Sequence, residues 1–122
     1  MSMPTTPAFD ALTLVGSTWV AEDIAQRGVI DYLQSRLQFV DNDRVAGFGG
    51  CNVFNGSVQF SADRLRIGPL ATTKKLCPPA IMDQENRFLK ALESVRSART
   101  QNGLLYLQDE TGNDVLRFWR VE

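Results

Sequence analysis

The sequence contains no histidine. That absence removes the usual general base at neutral pH, the Ser-His and Cys-His nucleophile pairs, and the commonest metal ligand. Only two cysteines are present, and without histidine they cannot complete an ordinary structural zinc site within one chain. No metal and no cofactor is expected, and no catalytic residue can be named. An excess of charge is lacking as well. Thirteen Lys and Arg stand against 14 Asp and Glu, a formal net charge of −1, so binding to nucleic acid by neutralising many phosphates is not expected. No apolar run approaches the ~18 residues of a membrane-spanning helix. The opening "MSMPTTPAFD" has no basic segment followed by an apolar one, so no secretory leader is read in it. Two locations stay open: the cytoplasm, or export with the leader absent from this sequence.

What is there suits one soluble domain. The 122 residues are 43% hydrophobic and 22% charged, enough to bury a core without many disulfides. Residues 1–11, with Pro4 and Pro7 among threonines, read as a tether, and residues 12–122 as the domain. Leu14–Ile24 is rich in β-formers and reads as a first strand. Leu37 and Phe39 alternate with Arg36 and Gln38, a turn falls at Asp41–Asp43, and Val45 begins a return strand. Val58 and Phe60, then Leu65 and Ile67, form a second hairpin across Ser61–Asp63. From Pro79 to about Ala98 the apolar positions Ile81, Phe88, Leu89, Leu92 and Val95 recur at helical spacing. Pro78 and Pro79 suit a helix entry, where a missing N–H does no harm. "GLLYLQD" and "DVLRFWRV" read as two closing strands joined at Glu110–Asn113. A twisted antiparallel sheet of about eight strands curls toward a barrel, with one helix filling a gap or an end.

"GFGGCNVFNG" (Gly47–Gly56) is the densest local signal. A phosphate loop needs a following helix, whereas here more strand follows and no Gly-Lys-Ser/Thr. The glycines, notably Gly49, Gly50 and Gly56, read as a barrel corner or bulge, with Asn52 and Asn55 bonding to the turn backbone. The carboxylate pairs Glu22 and Asp23, Asp41 and Asp43, and Asp109 and Glu110 read as turn and strand-end residues. Phe118 and Trp119 are adjacent on a strand and so face opposite sides. Trp119 beside Arg117 is a candidate partner surface; packing beneath the helix or the tether is its structural alternative.

"GGCNVFNGSV", "IGPLATTKKLCP", "ENRFLKAL", "LLYL" and a terminal "LRF", after an opening "LVGSTWV", resemble the META domain of META/HslJ-like proteins over roughly Leu12–Val121. One departure is local: Thr73-Lys74-Lys75-Leu76-Cys77 stands where the family often carries Thr-Arg-Met-Ala-Cys. The resemblance implies a cracked β-barrel with one helix and no established enzymatic activity. It also implies a bacterial envelope protein or lipoprotein with links to heat shock and drug resistance. An accessory or stress-response role exercised through the surface follows from it, with an envelope protein or a lipid as partner. A periplasmic or outer-membrane-associated location is then favoured over the cytoplasm, and a monomer is expected. A carrier of a lipid or other apolar ligand, similar to secretin pilot proteins, is the alternative function; an enzyme of unrecognised chemistry is the least favoured. Cys51 and Cys77 leave three readings open: a disulfide, two buried thiols, or a reactive Cys77 thiol made acidic by Lys74 and Lys75 and acting as a redox sensor.

Overall fold

Short apolar–polar alternations separated by tight turns bury their hydrophobic positions most simply as hairpins with one wet face. A computed structural model, which describes residues 9–121, contains eight strands and one helix in this arrangement. The order is β1 (Thr18–Ile24), β2 (Arg36–Phe39), β3 (Arg44–Phe48), β4 (Val53–Ser61), β5 (Arg64–Thr72), α1 (Pro79–Ser94), β6 (Ser97–Gln101), β7 (Leu104–Gln108) and β8 (Asp114–Arg120). Each strand pairs antiparallel with the next, and β8 returns to β1, so the sheet closes into a ring. The ring is cracked at one place. β5 and β6 share a single register pair, Arg64 with Ser97, flanked by backbone bonds from Leu65 N to Arg96 O and from Ala98 N to Asp63 O.

The inward positions fill the ring. Leu37, Phe39, Val58, Leu65, Ile67, Leu105, Leu107, Leu116 and Phe118 are all buried in one cluster. α1 adds Phe88, Ala91 and Leu92 to it. Phe88 makes edge-on contacts with Phe54 of β4 and Phe118 of β8, at 6.0 and 6.1 Å between ring centroids. Those strands stand on opposite walls of an eight-stranded ring, so the helix plugs the lumen with one aromatic side chain. Such aromatic pairs contribute about 0.5–1.5 kcal/mol each beyond area burial.

Several sequence-based boundaries shift. β1 starts at Thr18, not Leu14, because Ala11–Leu14 forms a 3-10 turn that buries Ala11 and Leu14. Asp10 caps that turn through Leu12 N, Ala11 N bonds to Ala62 O, and Phe9 packs on the core. Residues 9–11 are thus part of the folded domain; the rest of the tether lies outside the described residues. α1 begins as expected, with Pro78 at its cap and Pro79 in its first turn. It ends at Ser94 rather than Ala98, since Val95 is already extended. Val95 and Ala98 are both buried and three residues apart, a spacing that imitates a helix face. The same ambiguity hides β6, which is a third strand after the helix where only two were expected.

Candidate functional site

The stretch Gly47–Gly56 ends β3, turns, and starts β4. Gly50 sits at φ +135, a conformation that side chains rarely adopt. A Cβ on Gly49 would lie 2.6 Å from the Glu85 side chain, so close approach of the helix needs glycine there. The turn aims two successive N–H groups at one acceptor: Cys51 N and Asn52 N both donate to Glu85 Oε1. Asn52 Nδ2 donates to Glu85 Oε2 at 2.8 Å. Three donors therefore hold a carboxylate that is only 3% exposed, as a small backbone nest holds an anion.

Asn52 also reaches the segment before the second cysteine. Its Oδ1 accepts from Lys75 N and Thr73 Oγ1, and its Nδ2 donates to Lys75 O. The amide thus replaces a strand partner for Lys75. The side chain of Lys75 stays exposed; the corner uses its backbone. Cys51 and Cys77 are bonded across the same corner, with Cα atoms 6.0 Å apart. A cross-link spanning 26 residues contributes about 3.5 kcal/mol in the chain-entropy model. Of the three readings of the cysteines, the structure has the disulfide, and neither cysteine is a free thiol in it.

Two expectations for this stretch are corrected. Asn55 lies within β4, opposite Ala46 and Ala71, with its side chain exposed. It takes no part in the turn, because the turn closes at Asn52. Asn52 bonds mainly across to Thr73, Lys75 and Glu85 rather than within its own turn. Gly56 behaves as expected: a Cβ there would meet Pro69 O at 2.5 Å, beside a register shift between Gly56 and Val58.

Glu85 and its neighbour Gln84 were not legible as site residues. Gln84 is fully buried; its Oε1 accepts from Ile30 N and its Nε2 donates to Ser35 Oγ, which in turn donates to Gly49 O. Both residues interrupt the apolar stripe that continues through Phe88 and Leu92. Polar residues on that stripe were the available signal.

The carboxylate pairs act as turn and strand-end groups. Asp23 accepts from Gln26 N and Gly28 N, and Asp41 from Asp43 N. Asp109 accepts from Thr111 N and Asn113 N. Bonds from the Asn113 backbone, foremost, and from Thr111 hold its carboxyl below the ordinary aspartate value. Glu22 accepts from Arg117 Nε, and that bond raises the arginine further above its already high value.

Trp119 and Phe118 do face opposite ways: Phe118 is fully buried and Trp119 is 41% exposed. Trp119 lies between Val20 of β1 and Leu104 of β7. It borders a surface groove of about 300 Å³ whose other wall is the β1–β2 loop, with Val29, Ile30 and Leu33 and the fully projecting Tyr32. Arg117, next outward on β8, is fixed by Glu22.

With this geometry the comparisons agree. A family model for the META domain matches residues 11–122, and the chain belongs to the META domain family. Two solution NMR structures share its fold. One, a protein from Burkholderia xenovorans, has a TM-score of 0.71 at 22% identity, over 99% of this chain and 95% of that one. The other has a TM-score of 0.68 at 21% identity, over 88% of this chain and 91% of that one. No curated protein matches the chain.

Proposed function

We propose that this META-domain protein is a non-enzymatic accessory of the bacterial cell envelope, with a stress-related role exercised through its outer surface. The observation that carries the reading is the Cys51–Cys77 bond, since disulfides persist in oxidising compartments such as the periplasm. The bond is integral to the corner: Asn52 joins the same two segments through Lys75, and Glu85 ties the turn to α1. Action through the surface is supported by the filled lumen, where Phe88 occupies the space that an apolar cargo would need. The exposed Trp119 and Tyr32 flank the groove offered to a partner. The buried carboxylate of Glu85 is held by three donors from the corner, which favours a structural over a catalytic role for it.

The test is thiol trapping in intact cells that express the gene with its native upstream sequence. Acid quenching, denaturing alkylation and intact mass would follow. No alkyl groups without reduction, and two after it, are expected for material recovered from the periplasmic fraction. Two groups added without reduction, on protein recovered from the cytoplasm, would overturn the envelope assignment.

A further inference from the structure

The four ion pairs among the described residues use Arg44, Arg87, Arg99 and Arg117. Arg64, Arg66 and Arg96 take part in none of them, yet all three line one concavity of about 310 Å³ at the β5–β6 crack. Arg64 and Arg66 alternate with the buried Leu65 and Ile67, so both point outward, about 7 Å apart along the strand. Arg96 arrives from the other side of the crack, between α1 and β6. It is already anchored: its Nη1 donates to Glu93 O and Val95 O. A guanidinium has five N–H donors, so Nη2 and Nε remain for another acceptor. Asp63 and Glu93 are the acidic residues nearest in sequence, and neither forms an ion pair with the three arginines. Phe60, half-buried against Phe39 at 6.2 Å, supplies an apolar wall.

Three unpaired cations gathered on a chain with a formal net charge of −1 are a local feature, not a bulk excess. Guanidinium groups match tetrahedral oxyanions because each presents parallel donors to two oxygens. A phosphate offers three or more acceptor oxygens and up to two negative charges against the two oxygens and single charge of a carboxylate, and so matches three guanidinium groups better. We propose that Arg64, Arg66 and Arg96 form a binding site for a phosphate group, either free phosphate or the phosphate of an ester whose first carbons lie against Phe60. This site is separate from the Trp119 groove and does not depend on the envelope assignment.

The test uses the intact protein in chloride buffer at fixed ionic strength. Inorganic phosphate is titrated while backbone amides are followed by NMR, and binding to phosphatidylcholine vesicles is measured with and without phosphatidic acid. Saturable shifts centred on Leu65, Arg66 and Arg96 are expected. The double variant R64Q/R66Q, altered at two exposed positions, should lose at least tenfold in affinity. R44Q, an exposed arginine on β3 outside the concavity, should stay within twofold. Binding of free phosphate alone would identify a small-anion site, and binding only to phosphatidic acid vesicles a phosphate-ester site. No saturable binding in either arm, or an equal loss in R44Q, would overturn the proposal.

Discussion

The Cys51 corner and the β5–β6 crack are opposite solutions to holding one ring together. At the corner, a covalent bond, a nested carboxylate and an asparagine acting as a strand partner tie β4, the Thr73–Cys77 segment and α1. At the crack, one register pair and two flanking backbone bonds join neighbouring strands. The chain order explains the contrast. β4 and β5 are joined by a tight turn and pair from Phe54–Thr72 to Ser61–Arg64, whereas α1 is inserted between β5 and β6. A hairpin turn sets register directly; an inserted helix sets it only through where the helix docks. The crack therefore depends on α1, and α1 is placed at its first turns by the corner and further along by Phe88.

Removing Phe88 should break that dependence with the largest effect. Phe88→Ala empties a fully buried aromatic site and is expected to cost about 3–5 kcal/mol, read as a lower urea midpoint. Hydrogen exchange adds the comparison. In the variant, the amides of Leu65 and Ala98, which bridge the crack, should lose protection before those of the β4–β5 ladder. Uniform loss across both would mean that the crack is not a separately opening unit.

The next effect belongs to the corner. Asn52→Ala leaves Lys75 N and Thr73 Oγ1 without their acceptor and removes one donor from Glu85. A loss of about 1–3 kcal/mol is expected, retained after the disulfide is reduced. A loss that vanishes on reduction would show that the amide only serves the cross-link.

The hairpins were legible because alternation reports strand faces directly: Leu37 and Phe39, Val58, and Leu65 and Ile67 all point inward. The helix entry was legible from Pro78 and Pro79. Its exit was not, since no glycine marks it and Val95 and Ala98 are buried in either conformation. At the corner, the motif located Cys51 and Asn52, but Asn55 was misplaced because asparagine favours turns equally well one turn or one strand away. Glu85 escaped for a deeper reason. Its donors come from residues 33 and 34 positions earlier, and local spacing carries no record of them.

Asp109 provides the local counterpart of Glu85 and the smallest expected effect. Its acceptor bonds come from residues two and four positions away, so the β7–β8 turn is complete within itself. The Asn113 and Thr111 bonds depress its folded pKa. A depressed carboxyl contributes stability that is fully present above its unfolded pKa, ordinarily ~3.9. That contribution is lost as pH falls through the lower folded value. The side chain is solvent-exposed in effect, so the contribution is small and screened. NMR titration of the Asp109 carboxyl should place its midpoint below that of an unstructured aspartate. In acid, wild type should lose stability relative to Asp109→Asn across that window, with the difference between them constant at neutral pH. A midpoint at the ordinary value would mean that the turn closes without help from the charge. Long-range donors at Glu85 would then remain the setting in which a carboxylate organises this fold.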